Sequence, residues 1–203
     1  MKKILGFIGL LLFAAPAFAQ DYRGYYHGAF DFNQPLSNTQ WNNATSVFGL
    51  KVGYQHMLTD RISIGGDLNW GSYKQYKPTE TTVTPGSAIT SDYFNYVYAY
   101  GLTASARYYL PVDGKLVRPY AGLGLGAAYN KYTTFYNIYA DQKASWGFLA
   151  RPEAGVMLRF NENRSFGLAA GVHYDISTAQ QKAIGYSTFS NIGISVGVII
   201  VNW

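Results

Sequence analysis

Eight times along this chain, apolar side chains recur at every second position over about ten residues, with polar, charged or very small ones between them. A period of two belongs to a β-strand, whose successive side chains point to opposite faces. The segments fall at 22–32, 47–57, 61–73, 93–109, 118–132, 146–160, 165–176 and 188–203. In 146–160 the even positions are Trp146, Phe148, Ala150, Pro152, Ala154, Val156, Leu158 and Phe160, all apolar. The odd positions carry Arg151, Glu153 and Arg159 among Gly147, Leu149, Gly155 and Met157. A strand with one charge-free face and one charged face separates two solvents.

The connections alternate in length. Residues 33–46, 74–92, 133–145 and 177–187 read as long polar loops, whereas 58–60, 111–117 and 161–164 read as short turns. Long and short connections in turn, an even strand count and strands near the 9 to 11 residues that cross a bilayer predict an all-β fold: an eight-stranded antiparallel up-and-down transmembrane β-barrel. The first connection is long, so the first strand runs outward and both termini lie on the periplasmic side.

The first 20 residues, MKKILGFIGLLLFAAPAFAQ, carry a basic start at Lys2 and Lys3, a short apolar core and the small-x-small site Ala17-Phe18-Ala19. This predicts a signal peptide over 1–19 and export, with the barrel domain over 20–203. Without Lys2 and Lys3 the chain keeps 14 basic against 11 acidic side chains, a balance too even to point to nucleic acid. Cysteine is absent, which excludes disulfides and thiolate chemistry.

The barrel geometry assigns inward positions to Arg23, His27, Asp31, Lys51, Gln55, Asp67, Asn69, Arg107, Arg151, Glu153, Arg159, His173 and Asp175. Eight strands enclose a space that side chains fill, so these groups are expected to pair in a polar interior network. Glycine at every second position of 122–126 suits a narrow interior. On the alternate face, Trp70, Tyr96, Tyr129, Trp146 and Tyr174 are expected at the outer membrane interface, with Tyr54, Tyr108, Phe160 and Trp203 at the inner one.

The leader, the stretch RPYAGLGLGAAY at 118–129, the glycine-alternating strands and the aromatic last residue resemble the small single-domain outer-membrane β-barrel proteins, porin-like and of OmpA/OmpX type. The resemblance implies the fold, the bacterial outer membrane and a terminal strand read by the barrel-insertion machinery. It implies no chemistry. Two features depart from the pattern. Ile192, Ile194, Val196, Val198 and Ile200 share one phase while Ile199, Val201 and Trp203 share the other, which calls for a bulge near 198–200 or for last residues beyond the bilayer. Pro152 lacks a ladder donor in mid-strand, and a local distortion is expected there.

Catalysis is not expected. His173, Asp175 and Ser177 share a strand face, but side chains two residues apart are separated by roughly 6.5 to 7 Å, too far for a hydrogen-bonded triad. His27 and His56 have no neighbours at metal-ligand spacing, and GLGLG at 122–126 is no phosphate cradle because a strand follows it. The residues thus call for no cofactor and no metal. A soluble lipocalin-type barrel would put large apolar side chains inside, the reverse of this pattern. The reading is a structural or surface-interaction protein with a filled polar lumen and long outer loops, above all 74–92, in contact with outer-membrane lipid and with an extracellular ligand as a possible further partner. A narrow or gated porin is the alternative, and an outer-leaflet lipid-modifying enzyme a weaker one.

Overall fold

The computed structural model describes residues 24–84, 87–112, 116–136, 139–160 and 165–202. Eight antiparallel strands follow one another in chain order and close into a barrel: β1 (Gly24–Pro35), β2 (Ser46–Thr59), β3 (Ile62–Thr84), β4 (Ser87–Tyr109), β5 (Val117–Tyr136), β6 (Tyr139–Arg159), β7 (Phe166–Ser177) and β8 (Phe189–Asn202). Closure comes from β1 against β8, in unbroken register from Gly24 opposite Asn202 to Pro35 opposite Asn191. The barrel has no free edge over its body, so its backbone groups find partners without water. The leader, Arg23 and Trp203 lie outside the described residues.

The alternation sorts as the sequence predicts. Phe30, Leu50, Leu68, Leu102, Leu125, Phe148, Val172 and Ile194 stand on the exposed outer face. Asp31, Lys51, Asp67, Thr103, Arg151, His173 and Ser195 alternate with them and are buried. Two of the expected outer loops are strands instead. β3 and β4 stay paired until Thr84 faces Ser87, and β5 and β6 until Tyr136 faces Tyr139. Residues 74–92 and 133–145 are thus mostly β-ribbon, continuing the barrel wall outward. Polar Thr, Gln and Tyr read as loop by composition, yet a ladder continues wherever two strands already lie side by side.

The last strand needs no bulge. Its pairing with both β1 and β7 runs through 198–200 without a shift. Ile192, Ile194, Val196, Val198 and Ile200 face outward, and Ile199 points inward, fully buried against Tyr25, Tyr109, Tyr120 and Met157, with Val201 beside it. The second apolar phase is therefore a layer that closes the inner end of the lumen. Ile199→Ala is expected to lower stability by about 2–4 kcal/mol through lost burial and a residual cavity. Urea titration of the barrel in lipid vesicles, followed by heat-dependent gel mobility, reads this; an unchanged midpoint would mean that the layer is not packed.

Pro152 does disturb the wall, as a gap in one ladder. Pairing of β6 with β7 stops after Ala150 opposite Ile176 and resumes with Glu153 opposite His173 in the same register. The ladder to β5 runs through Pro152 opposite Leu123. The missing N–H thus falls on the β7 side.

Candidate functional site

The polar interior is a stack of layers. At the inner end Tyr25 and Tyr109 join hydroxyls at 2.5 Å, Arg107 donates to the Tyr25 oxygen at 2.8 Å, and the Arg107 guanidinium lies over the Tyr120 ring at 5.2 Å. Above them Arg107 bonds Glu153 at 2.6 Å and Asp67 at 3.3 Å, while Lys51 pairs with the other oxygen of Glu153. His27 Nε2 lies 2.6 Å from Asp67, and Ser105 donates to the second Asp67 oxygen at 2.6 Å while accepting from Gln55.

A second cluster sits nearer the outside. Arg151 grips Asp175 with two nitrogens at 2.5 and 2.7 Å and reaches Asp31 at 3.5 Å. His173 Nδ1 is 3.6 Å from Asp31, and its Nε2 meets Asn33 Oδ1 at 2.8 Å. In these clusters three fixed cations, Lys51, Arg107 and Arg151, face four carboxylates, Asp31, Asp67, Glu153 and Asp175, and each surplus carboxylate contact ends on a histidine. Such pairing offsets the cost of removing Asp67, Glu153 and Asp175 from water, whereas Asp31 has contacts at 3.5 and 3.6 Å and no hydrogen bond.

Glycines on β5 make the room. A Cβ at Gly122 would stand 3.0 Å from Arg107 Cγ and 3.3 Å from Glu153 Cγ, and one at Gly124 would crowd Thr103 at 3.2 Å. Long charged side chains from β4 and β6 pass over β5 where it carries none. A void of about 20 Å³ between Lys51, Arg107 and Tyr120 has room for about one water.

Inward side chains from four strands and two loops gather at the outer mouth. Tyr73, Val97, Tyr132, Tyr186 and Phe189 form a buried cluster with Trp41 packed against it. Trp41 comes from the β1–β2 loop and Tyr186 from the β7–β8 loop, their rings 5.8 Å apart, edge to face. These loops are tied down. Asn38 donates to the Ile184 carbonyl at 2.9 Å, and Asn42 donates to the carbonyls of Tyr73 and Asn95 at 3.2 and 2.7 Å. Gly185, at φ +77°, ends the 3-10 turn Lys182–Ile184 in the left-handed region that favours glycine and delivers Tyr186 to the mouth.

The expected interior residues His27, Asp31, Lys51, Asp67, Arg107, Arg151, Glu153, His173 and Asp175 thus meet in two linked clusters. Arg159 keeps the inward phase, half-buried, at the inner rim beyond Met157. Sequence reasoning missed the aromatic layers above and below. Inward Tyr25, Tyr73, Tyr109, Tyr120 and Tyr132 were legible from phase alone, whereas Trp41 and Tyr186 lie in loops without a period. His173, Asp175 and Ser177 form no triad, because Asp175 is held by Arg151, His173 by Asn33, and the Ser177 hydroxyl accepts from the Ala179 N–H at 3.2 Å. Among the described residues no three His, Asp or Glu side chains gather as a metal site.

Against this geometry, the sequence profile of the outer membrane protein beta-barrel domain matches residues 5–199. The chain belongs to that family. Among solved structures, the barrel is similar to Neisserial surface protein A, at 18% identity and a TM-score of 0.54 over 87% of this chain and 96% of that one. It is also similar to Ail, the attachment invasion locus protein of Yersinia pestis, at 10% identity and a TM-score of 0.53 over 89% of this chain and all of that one. At these identities the likeness is one of fold. Comparison with the curated proteins finds no match. As in the rest of its family, the barrel spans the bacterial outer membrane.

On the membrane face, aromatic side chains line up across strands. Trp70 faces Tyr100, Tyr100 faces Tyr129, and Tyr129 faces Trp146, with the last two rings 4.8 Å apart. Tyr96 and Tyr174 also point outward. At the other end Tyr54, its ring 4.8 Å from that of Tyr26 and tilted against it, joins Tyr108 and Phe160 in the outward phase.

Proposed function

We propose that this protein is a closed-lumen barrel that acts at the outer surface of the outer membrane and does not conduct solutes. One observation carries the reading: the lumen is filled from end to end. The inner tyrosine–isoleucine layer, the paired charges and the Trp41–Tyr186 cover succeed one another along it, and the void beside Lys51, Arg107 and Tyr120 has room for about one water. What remains free to meet other molecules is the β3–β6 ribbon, which continues for roughly 45 Å along the strand from Trp70 to Thr84. Residues 1–19 serve as its export leader, and the barrel-insertion machinery acts on the last strand. The aromatic rows near Trp146 and near Tyr108 set its depth between the two interfaces.

Single-channel recording of the refolded mature chain in a planar bilayer tests this reading. A silent bilayer is expected when heat-dependent gel mobility confirms folding. Reproducible unitary steps in every preparation would transfer the interior charges to a pore lining and overturn the proposal.

A further inference from the structure

The strand that closes the barrel is bridged from both sides at one glycine. Asn33 on β1 and His173 on β7 stand opposite the same residue of β8, Gly193. A Cβ at Gly193 would lie 2.4 Å from Asn33 Oδ1 and 2.5 Å from the His173 ring, so only a residue without a side chain lets the two meet over β8. Asp31, one pleat further in on β1, joins them.

Hydrogen-bond chemistry fixes the roles at this seam. The Asn33 amide nitrogen donates to the Asp31 carbonyl at 3.3 Å, which leaves Asn33 Oδ1 to face His173 Nε2 at 2.8 Å. An amide oxygen only accepts, so Nε2 carries a hydrogen, and in a neutral imidazole Nδ1 is then an acceptor. Nδ1 lies 3.6 Å from Asp31 Oδ1, a second acceptor. Among the described residues neither atom has a hydrogen-bond partner, and nor has Asp31 Oδ2. Both residues are buried, His173 to 3% and Asp31 to 1% exposure. Two lone pairs facing each other in such surroundings repel, whereas one hydrogen between them makes the contact attractive.

The neighbouring charges leave this demand unmet. Lys51 of β2, Arg151 of β6 and Asp175 of β7 face the pair, with the Tyr73 phenol of β3 in electrostatic reach. Lys51 is engaged by Glu153 and Arg151 by Asp175, so Asp31 keeps only the 3.5 Å contact to Arg151. From β8 come the uncharged Ser195 beside Asp31 and Asn191 beside Asp175. Three fixed cations against four carboxylates leave the interior one positive charge short.

We propose that Asp31 and His173 form a one-proton site, in which a single proton is held between Asp31 Oδ1 and His173 Nδ1 at neutral pH and pins β1 to β7 across β8. The proton is taken from water on folding and balances the interior charge. Alkaline medium withdraws it and loosens the seam, so the closed barrel is pH-sensitive on the alkaline side. The inference holds whether or not the lumen conducts.

Urea titration of the refolded barrel in phosphatidylcholine vesicles, repeated at pH values from about 7 to about 9, tests this by the linkage of folding to proton binding. In the unfolded chain aspartate and histidine release their protons at about 3.9 and about 6.5, so the folded barrel binds one proton more over this range. Its folding equilibrium constant is expected to fall about tenfold per pH unit until the folded pair lets its proton go. Asp31→Asn offers an amide N–H to Nδ1, needs no proton there, and is expected to lack this fall. His27 beside Asp67 is present in both proteins, so its own titration cancels in the comparison. Nitrogen-15 resonances of His173 and the carbon-13 carboxyl resonance of Asp31, read in the wild type near neutral pH, are expected to show one of the two groups protonated at the shared position. This second reading does not depend on the variant folding. No fall in the wild type, an equal fall in Asp31→Asn, or spectra with both Nδ1 and Asp31 unprotonated, as when a water bridges them, would each overturn the proposal.

Discussion

Arg151→Ala is expected to destabilise the barrel by about 3–5 kcal/mol, the range for removing one partner of a buried ion pair. The guanidinium is 2% exposed, holds Asp175 at 2.5 and 2.7 Å and lies 3.5 Å from Asp31. Its loss strands two buried carboxylates, Asp31 and Asp175. Arg151→Lys restores the charge but not the two-pronged grip, and a smaller loss is expected. Arg151→Met with Asp175→Leu, which removes charge on both sides, is expected to recover much of the loss, because a matched apolar pair avoids the desolvation cost. Urea unfolding in vesicles measures all three. A cost under about 1 kcal/mol for the alanine variant would show that water reaches Asp175 and that the lumen is wet.

Glu153→Ala is expected to cost about 2–4 kcal/mol, because this one carboxylate serves both Lys51 and Arg107. The loss is smaller than at Arg151 because Arg107 keeps Asp67 at 3.3 Å. Glu153→Gln, which keeps the shape and one acceptor, is expected to fall between the variant and the wild type. In a planar bilayer the alanine variant is expected to remain silent, since the tyrosine–isoleucine layer below and the Trp41–Tyr186 cover above are untouched. Stable openings in it, alongside a silent wild type, would mean that Glu153 is itself the plug.

Several features are legible in the sequence alone. The inward phase of Lys51, Asp67, Arg107, Arg151, Glu153 and Asp175 follows from their parity against runs such as Phe148–Ala150–Pro152, because a strand offers each residue only two directions. Their partners were not legible. Arg107 contacts Tyr25 across 82 positions and Lys51 contacts Glu153 across 102, and no local pattern encodes which strands stand opposite across a lumen. The strand ends misled for a different reason. Thr81, Thr82 and Gln142 have loop-like composition, but pairing with an existing neighbour overrides so weak a preference. The Ile199 phase calls for a bulge, or for last residues beyond the bilayer, only if the interior is polar throughout. The tertiary structure makes it polar only in its middle.

What the sequence determined by itself is what depends on one residue's relation to its near neighbours: eight strands, two faces and which face meets lipid. Period-two patterning carries all of this, since a one-residue slip would exchange the lipid and lumen faces. What only the tertiary structure decided is how the lumen is closed. Trp41 and Tyr186 reach the mouth from two loops separated by most of the chain, and Tyr25, Tyr109 and Ile199 meet at the other end from three strands. Contacts of that kind exist only once β1 has closed on β8, because closure brings residues from across the chain within a side chain's length of one another.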